Sequence, residues 1–305
     1  MMNDTYPSNL TSQDSQKGYA LATVYPCAKI NLGLYVVERR PDGYHNLETV
    51  FYPIPLRDKL TVEIVQPACT DMEQEGCTTP TADEMSLSGI PVEGDVQDNL
   101  VMRVVRQLRE DYPIPPLRIH LEKNIPSGAG LGGGSSDAAF MMRLLNDMLA
   151  LGLTTDEMEK RVSRLGADCA FFIQCQPTMA EGIGNIFSPI RLSLKGMHLV
   201  LVKPDDFVST KEAYSLVRPA RPAYDLRQTV EGDVDLWKKQ LGNDFETSVL
   251  PLHPTIQRIK DQLYELGATY AVMSGSGSSV VGIFDQPLPQ AADLFAPHFV
   301  FTGQL

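Results

Sequence analysis

Three groups of residues have the types and spacing to do chemistry. The densest is Pro126-Ser-Gly-Ala-Gly-Leu-Gly-Gly-Gly-Ser-Ser136, where Gly128, Gly130, Gly132, Gly133 and Gly134 fall within seven residues. Such a run can take positive φ and offer bare N–H groups with no Cβ in the way, which suits it to wrapping a phosphate. The second group is Lys29 and Asn31, two positions apart in Ala28-Lys-Ile-Asn-Leu-Gly-Leu-Tyr-Val-Val37. The third is Asp168, a lone carboxylate among small and apolar neighbours in Leu165-Gly-Ala-Asp-Cys-Ala-Phe-Phe-Ile173. By spacing alone Asp168 reads as a helix cap or turn residue.

Each group needs an element to hold it. Ala28, Ile30, Leu32, Leu34 and Val36 alternate with Lys29, Asn31, Gly33 and Tyr35, which predicts a strand with one apolar face. Lys29 and Asn31 share the other face, close enough to serve one site, although the same spacing also fits a solvated sheet face. Leu117 to Leu121 alternates as a strand and delivers the chain into the glycine run. After the run, Ala138 to Leu149 is apolar around most of a helical wheel, so a buried helix is expected, its N-terminus at the end of the glycines. Unpaired N–H groups and the positive dipole end would then face whatever the loop surrounds. Thr154-Thr-Asp-Glu157 is a capping box opening a segment that runs to Gly166, which could close it in the left-handed conformation. Asp98-Asn99 caps a helix over 100–109, and Pro41-Asp-Gly43 is a turn between two strands.

Residues 1–19 are polar and read as a disordered tail, and Gln66 to Met85 reads as a mobile surface loop. From about residue 195 a second unit begins: a strand at 197–203, helices over roughly 210–266, strands at 269–274 and 279–284, a short helix at 290–295 and a strand at 298–302. That order, β-α-β-β-α-β, is the split ferredoxin-like arrangement with extra helices in its first crossover. Ser274-Gly-Ser-Gly-Ser-Ser279 joins the two central strands and can be a plain hairpin loop.

Composition narrows the partners. A chain of 305 residues with 43% hydrophobic content can bury a full core in two domains. A net charge of -12 argues against nucleic acid or an anionic membrane, so a phosphorylated ligand must be held by local groups. The five cysteines are odd in number and form no Cys-x-x-Cys pair, which fits a reducing cytoplasm. No apolar run approaches a membrane span, the N-terminus lacks the form of a secretory signal, and no His/Cys/Glu cluster has metal-ligand spacing.

Known glycine loops can be tested against these elements. A Walker loop ends in Gly-Lys-Ser/Thr, and here no lysine follows the run. A dinucleotide-binding turn needs a βαβ unit, but the helix is followed by another helix signal. A protein-kinase loop needs His-Arg-Asp and Asp-Phe-Gly further on, and neither occurs. A plain turn or linker remains, though a linker is seldom bracketed by a strand and a buried helix. The run, with its Gly-Gly-Gly-Ser-Ser ending, resembles the phosphate loop of the GHMP small-molecule kinases, the family of galactokinase, homoserine kinase and mevalonate kinase. Ala28-Lys-Ile-Asn-Leu32 resembles the family's N-terminal motif with its active-site lysine, and Gly166-Ala-Asp168 its catalytic aspartate segment. Ser274 to Ser279 resembles its third motif, beside the active site. Asp42-Gly-Tyr-His-Asn-Leu47 and Val208-Ser-Thr-Lys-Glu-Ala-Tyr214 resemble segments of the branch that phosphorylates a cytidine-diphosphate sugar alcohol in non-mevalonate isoprenoid synthesis.

The resemblance implies an α+β, two-domain fold: an N-terminal unit over 20–194 like the second domain of ribosomal protein S5, and a ferredoxin-like unit over 195–305. It implies an ATP-dependent kinase acting on the 2-hydroxyl of that small-molecule substrate, as a monomer or homodimer. Pro126, Ser127, Gly128, Ala129, Gly130, Leu131, Gly132, Gly133, Gly134, Ser135 and Ser136 would form the loop whose N–H groups hold the triphosphate. Mg²⁺ would bridge the phosphate oxygens with Ser136 as a ligand. Asp168 would accept the hydroxyl proton, with Lys29 keeping it ionised. Asn31, Tyr44, His45, Thr210 and Tyr214 would contact the substrate, with Tyr214 stacking on its cytosine. One departure stands out: the family often has Val-Pro where this chain has Cys169-Ala170, which leaves the local backbone open. Two alternatives remain, a homoserine- or mevalonate-type kinase and a non-catalytic sensor with the same fold.

Overall fold

The computed structural model describes residues 21–65 and 82–305, so the expected tail and most of the polar loop lie outside the described residues. The chain opens with β1 (Leu21–Val24), β2 (Cys27–Arg39), β3 (His45–Arg57) and β4 (Lys59–Ile64). β2 and β3 pair antiparallel across the expected Pro-Asp-Gly turn, where Gly43 has φ 89°. Next come β5 (Glu84–Gly89), α1 (Leu100–Arg109), β6 (Leu117–Lys123), α2 (Gly133–Met148), α3 (Thr155–Val162), α4 (Phe171–Gln174), β7 (Thr178–Glu181) and β8 (Ile186–Pro189). Two four-stranded sheets result, ordered β1-β4-β6-β5 and β2-β3-β7-β8. Glu84 and Met85, expected in the loop, open β5 instead, where parallel pairing with Arg118 and Ile119 of β6 satisfies their backbone.

The helix signals hold in type and shift at their ends. Asn99 caps α1 by accepting the Val101 N–H, and the Thr154/Glu157 capping box is formed at α3. α2 begins at Gly133, inside the glycine run rather than after it. α3 ends at Val162, short of Gly166, which does not take positive φ. The Arg164 and Leu165 N–H groups bond to Arg161 and Val162 carbonyls, so the helix tightens and releases the chain without a left-handed cap.

The second half runs β9 (His198–Lys203), α5 (Thr210–Ala213), α6 (Leu226–Val230), α7 (Trp237–Gln240), α8 (Glu246–Val249), α9 (Pro254–Glu265), β10 (Tyr270–Met273), β11 (Val280–Phe284), α10 (Ala291–Leu294) and β12 (Phe299–Gln304). Its sheet, ordered β10-β11-β9-β12 and antiparallel throughout, is the expected split arrangement. The helices expected over 210–266 are four of four or five residues and one of twelve. Pro219, Pro222 and Pro251 interrupt the span, and Pro254 begins the long helix at its first turn.

Both faces of β2 are buried, and this places the site. Ala28, Ile30 and Leu32 join Val50 and Tyr52 of β3, Leu201 of β9, Val272 of β10 and Ile283 of β11 in one apolar cluster. Past Gly33, φ 68°, the register shifts, and Leu34 and Val36 enter the cluster under α8 and α9. Lys29 and Asn31 point the other way, toward the glycine loop. Among the described residues no helix is long and apolar enough to cross a membrane.

Candidate active site

The glycine loop bends by alternation: Gly128, Gly130 and Gly132 have φ of 61°, 74° and 70°. Successive N–H groups are thereby turned toward one concavity, and Gly132, as the N-cap of the 16-residue α2, adds the free N–H groups of a helix start. Glycine is required at Gly130 for a second reason. A Cβ there would lie 2.0 Å from the Ser274 carbonyl oxygen, because the second glycine-rich loop presses directly on the first. The Ser274 hydroxyl donates to the Gly130 carbonyl at 3.0 Å. Ser274 to Ser279 is therefore more than a hairpin loop. Asn243 holds it by donating to the Met273 and Gly275 carbonyls, while Asp244 and Glu246 accept the Val36 and Met273 N–H groups.

Beneath the loop lies a buried ion cluster for which spacing gave no signal. The Lys123 ammonium donates to Asp58 and, at 2.7 Å, to Asp137 Oδ2. Asp58 Oδ1 also accepts the Ile125 N–H at 2.8 Å, whereas Asp137 Oδ1 has no partner. Lys123 and Asp137 bracket the loop, so the cluster clamps its two ends together. Two carboxylates share one ammonium out of water, and burial pushes the Asp137 carboxyl up to about 7 despite Lys123.

Lys29 is 3% exposed. Its N–H donates to the Leu131 carbonyl, tying β2 to the loop, and its ammonium donates to Asn31 Oδ1 at 2.7 Å. The same nitrogen lies 3.6 Å from Asp168 Oδ2 and 4.9 Å from the Phe51 ring centre. Asn31 in turn donates to Thr49 Oγ1, and Thr49 to the Gly33 carbonyl. A solvated sheet face is thus ruled out for Lys29 and Asn31. Burial lowers the Lys29 pKa, with Asp168 opposing it.

Asp168 sits in the turn leading to α4, its side chain 34% exposed and so open to a ligand. The Cys169 N–H bonds to the Gly166 carbonyl and the Phe172 N–H to the Cys169 carbonyl, so Cys169-Ala170 makes a tight turn without proline. Phe172 packs against Gly132, where a Cβ would meet its ring at 2.8 Å. Cys27 and Cys175, at the start of β2 and just past the end of α4, have sulfur atoms in contact with Cα atoms 7.9 Å apart, wider than a disulfide ordinarily spans.

Ser136 does not suit the metal role expected of it. It is 0% exposed and its Oγ has no hydrogen-bond partner, because a helix starting at Gly133 turns it inward with Ala139 and Phe140. Ser135 is the half-exposed hydroxyl, next to Cys169, whose thiol it hydrogen-bonds. The remaining expected residues gather at another place along β3 and α5. The His45 ring stacks on Tyr214 at 4.7 Å and 24°, and Phe245 meets Tyr214 edge-on. Thr210 is exposed at the first position of α5, and Tyr44, 63% exposed, is held only by its backbone turn.

Residues 99–176 match the family model for the GHMP kinases N terminal domain, and residues 225–295 that for the GHMP kinases C terminal. The chain is 54% identical over 282 residues to the 4-diphosphocytidyl-2-C-methyl-D-erythritol kinase of Parabacteroides distasonis, covering 92% of this chain and 98% of the relative. It is 50% identical to the kinase of the same name from Bacteroides thetaiotaomicron, covering 92% and 99%. A crystal structure of 4-(cytidine 5'-diphospho)-2C-methyl-D-erythritol kinase superposes with a TM-score of 0.76 at 30% identity, over 92% of this chain and 98% of that one. Homoserine kinase from Cytophaga hutchinsonii, at 14% identity and a TM-score of 0.64, shares the fold.

Proposed function

The chain belongs to the 4-diphosphocytidyl-2-C-methyl-D-erythritol kinases of the GHMP kinase family, and on that premise we propose that it transfers the terminal phosphoryl group of ATP to the 2-hydroxyl of 4-diphosphocytidyl-2-C-methyl-D-erythritol. The step belongs to non-mevalonate isoprenoid precursor synthesis, and we place it in the cytoplasm, carried out by a monomer or homodimer. The observation that carries this reading is the meeting of Lys29 and Asp168 at 3.6 Å, at the lip of a loop to which the Lys29 backbone is itself bonded.

In-line transfer to an alcohol needs the phosphates held, charge neutralised and the hydroxyl proton accepted. The loop from Ser127 to Gly132 and the first N–H groups of α2 supply fixed donors for the phosphates, and no acidic residue in the first turn of α2 repels them. Asp168 takes the proton of the attacking hydroxyl. Lys29, held by Asn31, lies 3.6 Å from that carboxylate and faces the charge that develops on transfer. Mg²⁺ bound with ATP would supply neutralisation of the phosphate charge. Ser135, half-exposed, and Asp168 carry the oxygen donors that would hold it beside the nucleotide. At the acceptor end, Tyr214 offers a ring face for cytosine, beside the stacked His45 ring, and His45 and Tyr44 help hold the base.

The test is ADP release from ATP and Mg²⁺ with 4-diphosphocytidyl-2-C-methyl-D-erythritol, beside homoserine, mevalonate and galactose. Turnover confined to the cytidine acceptor, inhibited by CMP, is expected. Silence on every acceptor in a protein that still binds ATP would favour a ligand-binding protein without catalysis.

A further inference from the structure

His253 has a part that the phosphoryl-transfer chemistry does not use. Its Nδ1 lies 3.0 Å from Asp206 Oδ1 and its Nε2 3.0 Å from Glu212 Oε1, so both ring nitrogens meet carboxylates. Asp206 stands in the loop between β9 and α5, and its carbonyl accepts the buried Ser278 hydroxyl of the second glycine-rich loop at 2.6 Å. Glu212 stands within α5, between Thr210 and Tyr214. His253 itself is anchored, as the N-cap of the twelve-residue α9, which buries Ile256, Ile259 and Leu263.

A four-residue helix cannot hold itself in water. Something must fix α5, and it is held from two sides: Ala213 is buried with Tyr214 against Phe245, and His253 grips the Glu212 face. We propose that His253 is a positioning residue for the acceptor substrate: by bridging Asp206 and Glu212 it holds α5, and with it Thr210 and Tyr214, at the cytidine end of the cleft, given the reading of those two residues as substrate contacts.

The bridge depends on charge. A neutral imidazole carries one N–H and can donate to only one carboxylate, leaving a lone pair against the other. The imidazolium donates to both. Asp206 and Glu212 are the charged groups facing the ring, and they outweigh the opposing effect of burial, raising the histidine pKa. A raised pKa keeps the bridge closed at and below the ordinary histidine range and opens it as pH rises through the folded value.

The full chain is tested as wild type, His253→Ala and Glu212→Gln, by initial rates in each substrate from pH 6 to 9 and by hydrogen exchange over residues 205–216. His253→Ala is expected to raise the KM for the cytidine acceptor about tenfold with the ATP KM within about twofold of wild type. In wild type the acceptor KM should rise on the alkaline side. Glu212→Gln should abolish that rise, because a carboxamide donates to the neutral ring and keeps both bonds. An unchanged acceptor KM, ATP and acceptor KM rising together, or an alkaline rise persisting in Glu212→Gln would each overturn the proposal. Exchange needs no substrate. Were the wild type inactive on this acceptor, the functional reading would fail, yet faster exchange confined to 205–216 in His253→Ala would still establish the bridge and equal exchange would refute it.

Discussion

Lys29 and Asp168 act on each other, and their separate failures are distinguishable. Asp168→Asn keeps the shape and removes the proposed proton acceptor, so kcat should fall by about 10²–10⁴ while the ATP dissociation constant moves less than about twofold; a variant with near-normal kcat would remove Asp168 from the chemistry. Lys29 gives a pH signature. Burial lowers its pKa below the ordinary 10.5, so the ammonium is lost as pH rises through that lowered value. The kcat profile should therefore fall on its alkaline side before an ordinary lysine would titrate, and a profile flat to pH 10.5 would contradict it. Asp137 gives the opposite kind of test, one of stability. Its carboxyl titrates near 7 when folded, against an ordinary value of 3.8 for an aspartate in water, so the folded protein binds the extra proton. The contribution is complete below the unfolded value and lost as pH climbs through about 7. Asp137→Asn should flatten the fall in Tm between pH 5 and 8, and an unaltered pH dependence of Tm would assign the proton elsewhere. None of these burials was legible in the sequence. Alternation on β2 cannot tell a solvated polar face from one covered by another segment, and Lys123 meets Asp58 across 65 residues.

At the scale of elements, the two glycine loops behave as one unit. Gly130→Ala drives a Cβ into the Ser274 carbonyl at a left-handed φ of 74°, so the loops must part. A loss of about 1–3 kcal/mol in stability and a raised ATP KM are expected. Gly134, helical and with only Leu100 at 3.8 Å from a built Cβ, should accept alanine with stability unchanged or raised by about 0.5–1 kcal/mol. Thermal unfolding of both variants checks the contrast, and equal losses would refute it. Long or capped elements such as α1, α3 and the split sheet were readable because they carry a period or a cap. The pieces α5 to α8 were not, since four or five residues complete little more than one turn and leave no period to detect. The start of α2 was missed for a related reason: its first turn is glycine and serine, residues that signal loops in sequence but here extend a helix anchored further on by Phe140, Leu144 and Leu145. With the helix beginning at Gly133, Ser136 is buried and Ser135 stays half-exposed.

At the scale of the molecule, the sequence suggests two units meeting near residue 195, yet the apolar face of β2 and β3 finds its cover on the sheet formed by β9 to β12. Ile30, Leu32, Leu201, Val272 and Ile283 belong to one cluster, with Trp237 fully buried in it. Separating the halves would expose that face on both, and each Leu- or Ile-sized side chain uncovered costs about 1.5–3 kcal/mol. The halves should therefore unfold together. Trp237 is the single tryptophan, so its fluorescence reports the shared cluster, while far-UV circular dichroism follows all the helices and strands. Coincident midpoints of the two signals in urea are expected, and ATP should move both by the same amount. If instead Trp237 became exposed well before the helices melted, β2 and β3 would be stable without the second sheet, and the strand carrying Lys29 and Asn31 would owe its position to the glycine loop and β3 alone.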